Sequence, residues 1–387
     1  MIGRTDMQTR FAEVTAEILA EHLIHNVKAL RSCCAAGASL CAPLKANAYG
    51  HGLEVVAPVL QRAGVDCAAV ANLDEAIALR GAGWARPVLV LGAVLSHQRE
   101  SERRDRLAAV LDHDLTLTLT DESGLPETKA AADAAGRTVA VHVKLDTGMG
   151  RLGACPQVAM RTVHALREYP SVRLTGVYSH FGSADLADRE LADHQLATFR
   201  EFLDLAAPTL PAGVTRHLAN TAATIERADA HFDMVRPGIG LYGYVPAERM
   251  AARLDLWPCM RVTSRVTLVK ELPPDHCVGY ACTFKTKRPT RLGLVPIGYH
   301  DGYLRALSNR AVVGTTTGDA PVIGRVSMDH LAIDLTDLPA INAGDPVILV
   351  DERPDRPNSV PSLARMLGTI PYEVTCLIGP RVRRTVI

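Results

Sequence analysis

The sequence predicts an α/β protein: an N-terminal (β/α)8 barrel of the TIM type followed by a smaller, mainly β domain. Three observations lead there. Between residues 40 and 235, eight short apolar segments alternate with amphipathic ones of helical period, the pattern of a parallel sheet whose strands are joined by helices. After Tyr244-Val245-Pro246 the helical pattern becomes scarce, and strand-like runs separated by Pro-Pro, Gly-Asp and Gly-Asp-Pro turns take over. The chain's chemically capable side chains also fall at the ends of the eight apolar segments, which is where such barrels carry their chemistry. A doubly wound open sheet is the alternative that periodicity alone does not exclude.

The elements follow in order. Residues 9–14 alternate weakly and read as a short strand. Thr15 reads as the N-cap of a helix whose apolar face is Ile18, Leu19, Leu23, Ile24, Val27 and Leu30. The run 40–44 is the first barrel strand. Strands at 67–70, 88–91, 115–119, 139–145, 174–179, 217–219 and 234–235 complete the eight. The helices are placed at 55–63, 73–81, 99–111, 125–135, 156–168, 187–206 and 221–229. Strand-like segments then occupy 261–269, 291–296, 310–313, 321–323, 330–334 and 346–350, with one helix at 360–367. The expected division is a barrel over 1–246 and a β domain over 247–387, with the first dozen residues packing on the β domain.

Composition narrows the function. The chain has 387 residues, 48% apolar and 22% charged, and its 42 Lys+Arg balance 42 Asp+Glu. No basic stripe points to nucleic acid and no polybasic patch to a membrane surface. There is no apolar run of membrane-spanning length and no signal-peptide pattern, so a cytoplasmic location is expected. The nine cysteines include no Cys-x-x-Cys and read as free thiols of a reducing compartment. His22 and His25 lie three apart on a helix face, and no metal is expected.

At the strand ends, Lys45 closes the first strand in Pro43-Leu44-Lys45-Ala46-Asn47-Ala48-Tyr49-Gly50-His51-Gly52. A lysine delivered into a turn of small residues is placed for burial, which favours its neutral, nucleophilic form. Strand five supplies Lys144, Asp146 and Arg151, strand six His180, strand seven Asn220 and Thr221, and strand eight Arg236 followed by Gly238-Ile239-Gly240. Singly, each has a structural explanation: Lys144 and Asp146 as a salt bridge, His180 as a core histidine, Arg236 as a helix cap. Together, at one end of successive units, they do not read as packing. Asn220-Thr221 opening a helix, and glycines after strand eight, suit an anion where such barrels bind phosphate. A phosphate site beside a strand-end lysine suggests pyridoxal phosphate held as a Schiff base.

These segments resemble those of alanine racemases through most of the chain. The Lys45 stretch resembles the family's cofactor-lysine signature, and Lys144-Leu145-Asp146-Thr147-Gly148-Met149-Gly150-Arg151 its substrate-arginine segment. Ser179-His180-Phe181, Ala219-Asn220-Thr221, Val235-Arg236-Pro237-Gly238-Ile239, Gly279-Tyr280, Gly298-Tyr299, Arg325-Val326-Ser327-Met328-Asp329 and Pro371-Tyr372-Glu373 also match.

The resemblance implies a pyridoxal-phosphate-dependent isomerase that interconverts L- and D-alanine with two bases and supplies D-alanine for peptidoglycan. Lys45 would hold the cofactor and serve the D-alanine face; Tyr280 would serve the L-alanine face. A tyrosine's ordinary pKa of about 10 is high for a base, and His180 backed by Arg236 would supply the positive field it needs. Arg236 would also donate to the pyridine nitrogen, which then stays unprotonated. Arg151 and the Met328 amide would bind the substrate carboxylate. Tyr49, Asn220, Thr221, Gly238, Ile239 and Tyr372 would surround the phosphate, and Tyr299 and Asp185 would mark the entrance, Tyr372 narrowing it too. Lys144 would be a candidate for carbamylation, with Asp146 partly neutralising the Lys144–Arg151 pair. Tyr280 and Met328 would act across a homodimer interface.

Ser327, Thr221, Ala281-Cys282 and His300 depart from the commonest family pattern, which leaves a broader amino-acid racemase open as an alternative. A decarboxylase of the same architecture would place a carboxylate where Arg236 stands. A non-catalytic cofactor carrier would leave the β domain without a role, and a metal-dependent dehydratase would need a ligand cluster there.

Overall fold

In the computed structural model, residues 12–96 and 99–387 are described. The chain divides into two compact units: Leu23–Ala48 with Ala57–Leu256, and the described residues up to His22 with Tyr49–Val56 and Trp257–Ile387. Of the strand expected at 9–14, residues 9–11 lie outside the described residues and 12–14 are not in a strand. Thr15 does not cap a helix: Thr15–Ile18 is a strand, β1, with alternating burial, and the helix starts at Ala20. Ala16 and Ile18 are fully buried, so one face of a four-residue strand accounts for apolar positions that also fit a helical period.

The first-named unit is the barrel. Strands β2 (Ser39–Pro43), β3 (Cys67–Val70), β4 (Val88–Val90), β5 (Thr116–Leu119), β6 (Val139–Lys144), β7 (Val172–Tyr178), β8 (Thr215–His217) and β9 (Met234–Val235) pair in parallel in sequence order. Pairing of Ser39 with Met234 and Leu40 with Val235 closes the ring. Helices α1 (Ala20–Cys33), α2 (Leu53–Arg62), α3 (Leu73–Gly81), α4 (Glu100–Asp112), α5 (Leu125–Ala134), α6 (Pro156–Ala165), α7 (Glu190–Ala206) and α8 (Thr221–Glu226) follow the alternation predicted. This is the (β/α)8 fold, not the open sheet.

The barrel interior has two characters. Cys41, Ala69, Leu89 and Met234 form an apolar cluster contributed by β2, β3, β4 and β9. From β5 to β8 the interior is polar: Thr118, His142, Lys144, Tyr178 and His217 are all buried. Gly176 makes room for this, since a Cβ there would fall 2.6 Å from the His142 ring. Buried polar groups cost stability unless hydrogen-bonded, so this half of the barrel must be a connected network.

The other unit is built on a nine-stranded sheet. With β10 (Met260–Arg265), β11 (Leu268–Leu272), β12 (Cys277–Val278), β13 (Phe284–Lys285), β14 (Thr290–Val295), β15 (Val312–Thr315), β16 (Asp319–Ile323), β17 (Leu331–Asp334), β18 (Pro346–Val350) and β19 (Arg383–Val386), the order is β11-β14-β17-β16-β15-β18-β10-β1-β19, and β12 and β13 form a separate hairpin. β1 pairs antiparallel with β10 and parallel with β19. The single strand expected over 261–269 is two strands. The 360–367 helix is present as α9 (Val360–Leu367), opened by Ser359 and closed by Gly368 in the left-handed region. α10 (Pro371–Cys376), β19 and the β12–β13 hairpin carried too few residues of regular period to be read from sequence.

Candidate active site

Lys45 begins a single turn of left-handed helix. Ala46, Asn47, Ala48 and Tyr49 all have φ of 53–54°, a region that costs roughly 1–2 kcal/mol for each residue bearing a Cβ. The turn is held by the bond from Ala48 N–H to Leu44 O, 2.9 Å, and by the Glu75 carboxylate, which accepts from Ala46 N–H at 2.7 Å and from Ala71 N–H at 2.7 Å. Lys45 is half-buried at the end of β2. Strain of this kind, maintained by an over-determined surrounding, is common at functional positions.

Around Arg236 the polar half of the barrel closes into one network. The guanidinium is 4% exposed. Its Nη1 donates to His217 Nδ1 at 2.6 Å; its Nη2 donates to Ser179 O at 2.8 Å, His180 Nδ1 at 3.1 Å and Leu218 O at 3.4 Å. None of these bonds uses Nε–H, so among the described residues that donor is open to a further acceptor. Arginine only donates, and the tautomers follow. His217 accepts at Nδ1, carries its proton on Nε2, and donates it to His142 Nδ1 at 2.9 Å. His180 accepts at Nδ1 and presents Nε2–H. Burial first, and then the Arg236 charge, push His142 down to about 3 and hold His180 and His217 well below the ordinary histidine range. Tyr178 stacks on His217 at 4.6 Å, hydrogen-bonds Thr118 Oγ1 at 2.8 Å, and is raised to about 12 by burial.

Lys144 lies 5.3 Å from the Tyr178 ring centroid, as does the Arg236 guanidinium. Its pKa is pushed down to about 8, by burial and then by the charges of Arg236, Arg151 and Lys45. Among the described residues Asp146 forms no ion pair with it, though the two charges favour each other. The Asp146 Oδ1 accepts from the amides of Gly148, Met149 and Gly150 at 2.9, 2.9 and 3.1 Å, folding the loop that carries exposed Arg151. Four cations, Lys45, Lys144, Arg151 and Arg236, share one end of the barrel and suit anions.

Asn220 caps α8 by accepting from Ala223 N–H at 3.1 Å. Thr221, 2% exposed, accepts from Gly240 N–H at 3.3 Å, and a Cβ on Gly240 would fall 2.8 Å from the Thr221 methyl. Gly238 and Ile239 are buried beside them. Asp185 is half-buried, and its carbonyl accepts from Arg249 at 3.1 Å.

The remaining expected residues belong to the β unit. Tyr49 and Tyr372 have ring centroids 6.0 Å apart. Gly50 permits α10 to approach, since a Cβ would fall 1.9 Å from Thr375 O. Tyr299 N–H and His300 N–H donate to Ser327 O at 3.0 Å and Met328 O at 3.2 Å, a contact only glycine at 298 allows. Arg381 ties this segment together through Asp301 at 2.8 Å and Asp329 at 2.8 Å. Tyr280, 69% exposed, lies on the β12–β13 turn beside a depression of about 490 Å³ that Ser327 also lines. The cysteines are not all free: Cys277 and Cys282 form a disulfide across this turn. Their spacing gave no such signal, since the bridge depends on the reversal at Gly279 and Ala281.

Sequence reasoning missed His142, Tyr178 and His217. His142 sits inside a strand and Tyr178 and His217 are the last residues of theirs, where a lone polar or aromatic residue reads as noise; the signal was that three such residues occur on adjacent strands β6 to β8.

Sequence models described as "Alanine racemase, N-terminal domain" and "Alanine racemase, C-terminal domain" match residues 18–246 and 259–386. An alanine racemase of Desulfovibrio desulfuricans is 37% identical over 372 residues, covering 96% of this chain and 97% of its own. Alanine racemase 2 of Caldanaerobacter subterraneus is 36% identical over 373 residues, covering 95% and 93%. Among solved structures, the alanine racemase of a D-cycloserine-producing Streptomyces lavendulae superposes with a TM-score of 0.88 at 34% identity, over 97% of each chain. That of Bacillus anthracis with bound L-Ala-P gives 0.87 at 30%, over 97% and 95%.

Proposed function

The chain belongs to the alanine racemase family, and from that premise we propose that it interconverts L- and D-alanine with pyridoxal phosphate as cofactor. The observation that carries the reading is Arg236: a buried guanidinium fixed through both terminal nitrogens, with Nε–H open to an acceptor. A pyridine nitrogen suits that donor. With Lys45, Lys144 and Arg151, Arg236 forms a group of four cations that suits a phosphate ester and a substrate carboxylate.

When bound, the cofactor acts as an electron sink that makes the α-proton of an amino acid removable. The chain's own residues do the rest. Lys45 anchors the cofactor and exchanges the proton on the D face. Tyr280 exchanges it on the L face, contributed with Met328 by the partner subunit of a homodimer. His180 is neutral, so it does not supply a full charge itself. Its Nε2–H donates to a phenolate oxygen, while Arg236 polarises the imidazole from behind through Nδ1. Arg236 cannot give up a proton at working pH. A pyridine nitrogen accepting from it would stay unprotonated, which would keep the sink weak and favour return of the proton over side reactions.

Arg151, with the Met328 amide, receives the substrate carboxylate as a fork-like donor. Tyr49, Asn220, Thr221, Gly238, Ile239 and Tyr372 surround the phosphate, and Tyr299 and Asp185 narrow the approach to small side chains. At a pKa near 8, Lys144 has a substantial neutral fraction at physiological pH. This is the form that reacts with carbon dioxide, and a carbamate would turn the cluster's least favourable cation into an anion beside Arg151. Among the described residues no helix is long and apolar enough to cross a membrane. The role proposed is supply of D-alanine to peptidoglycan from the cytoplasm.

The test is solvent deuterium exchange at the α-carbon over a panel of L- and D-amino acids with added pyridoxal phosphate. Alanine is expected to exchange and invert fastest from either isomer, and Lys45→Ala to lose both the cofactor's visible absorption band and exchange. Carbon dioxide release without inversion would assign a decarboxylase instead.

A further inference from the structure

Three sulfurs converge inside the barrel, on its adjacent strands β9, β2 and β3. Cys41 on β2 stands opposite Cys67 on β3 in the parallel register. The Cys67 thiol donates to Met234 Sδ at 3.3 Å, and it is also hydrogen-bonded with the Cys41 thiol. Cys41 is fully buried and Met234 nearly so, and the wall around the three is Ala69, Leu89 and Leu91. Methionine and free cysteine are ordinary core residues, which accounts for any one of them. It does not account for two thiols and a thioether in one hydrogen-bonded row within an otherwise aliphatic wall. Cys67 and Met234 open their strands, so the row lies below the strand ends that carry Lys45 and Arg236, and the proposed proton exchange does not use it.

We propose that Cys41, Cys67 and Met234 form a binding site for a soft monovalent cation, copper(I) or its analogue silver(I). The donor set decides the class. Among the described residues no three His, Cys, Asp or Glu side chains cluster so as to hold a metal ion, which leaves hard and borderline cations without a site. Zinc takes four ligands from cysteine, histidine and carboxylate, and calcium and magnesium take oxygens. Two thiolates and a thioether, with no oxygen or nitrogen side chain among their neighbours, select a soft cation instead. Histidine spacing gave no hint of this, because the three ligands come together only through the pairing of strands far apart in sequence.

Binding breaks two S–H bonds and forms two metal–thiolate bonds. Both protons leave to solvent, since a coordinating thiol is deprotonated outright. Met234 adds a neutral donor through Sδ, and no electron is transferred. One cation with two thiolates carries a single negative charge, and a charge inside a protein is tolerated only when it is paired. Arg236 supplies the pairing: its buried guanidinium interacts electrostatically with both Cys41 and Cys67. The barrel therefore offers the ligands and the counter-charge together.

The experiment offers copper(I), as its bicinchoninate complex with ascorbate and without air, to holoenzyme carrying Cys33→Ser and Cys34→Ser. Those two changes remove the neighbouring cysteines of the sequence as a rival site. No thiol reductant is added, so the Cys277–Cys282 bridge stays closed. The expected result is withdrawal of one copper(I) per chain from the chelate, release of two protons, and an X-ray absorption spectrum with three sulfur neighbours. Adding Cys41→Ser and Cys67→Ser should abolish the withdrawal. Met234→Leu, close in volume and therefore mild in a core, should keep the copper and lower the sulfur count to two; it decides the matter if the serine pair does not fold. No withdrawal by the parent, copper retained by a folded serine pair, or three sulfurs persisting in Met234→Leu would overturn the proposal.

Discussion

Arg236 and Tyr280 are both assigned to proton chemistry, yet the protein builds them in opposite ways. Arg236 is enclosed by strands, and its terminal nitrogens bind His217, His180, Ser179 and Leu218. Tyr280 stands on an exposed turn that one disulfide closes and that contains three residues of positive φ. At Arg236, position is a by-product of stability: the network that satisfies a buried polar half-barrel also aims the donor. At Tyr280 the side chain is separable from stability, because it is exposed while the neighbouring Val278 carries the packing. Function and folding should therefore fail together at the first site and separately at the second.

Arg236→Leu tests the coupled half and should have the larger effect. Removing the guanidinium leaves two imidazole acceptors and two carbonyls without donors in a closed interior, a loss of about 3–5 kcal/mol. Thermal unfolding of the variant should shift down by many degrees, with cofactor binding lost at the same time. A variant of unchanged stability would mean that water or rearranged tautomers satisfy the network, and the coupling would be gone.

Tyr280→Phe tests the separable half. It removes one hydroxyl from a side chain that is 69% exposed. Stability should stay within about 0.5 kcal/mol of the parent, as for ordinary surface changes, while racemisation falls by about 10²- to 10⁴-fold, the usual scale of a general base. Urea unfolding and alanine turnover on the same preparation check both. Loss of stability in step with activity would make Tyr280 a packing residue.

The same contrast explains what the sequence made legible. The barrel could be read because eight apolar strands and their helices impose periods of two and 3.6 on the chain. The strand ends could be read because Lys45, Arg151, His180 and Arg236 fall where the period breaks. His142 and His217 could not, because their partners lie on neighbouring strands: only the register that pairs His142 with Gly176, and Tyr178 with His217, brings them together. The Cys277–Cys282 bond was invisible for a related reason. A five-residue separation says nothing until the backbone reverses, and it reverses through Ala281 and Cys282, which are poor sequence indicators of positive φ. Thr15–Ile18 was misread because a strand completed by residues more than 240 positions away has no local signature.

The most distributed effect is pH dependence, and it also separates the regions. His142, His180 and His217 are neutral in the fold, with pKa values driven down by burial and by Arg236. Unfolded, each returns to about 6.5. Below that value the unfolded chain binds more protons than the folded one, so the stability the neutral network contributes is present above pH about 6.5 and is lost as pH falls toward the folded values. Three such groups predict a loss of about 4 kcal/mol between pH 7.5 and 5.5. The carboxylates of the β unit, such as Asp351, are held below the usual range with Arg353 and Arg356 close by, so they add their own loss only in more acid solution. Urea titrations across this window should therefore report the barrel network rather than these carboxylates. His142→Gln, at the end of the chain of imidazoles, should remove about a third of the slope. A slope unchanged in that variant would show that the protons are taken up elsewhere than on the histidines that line the barrel.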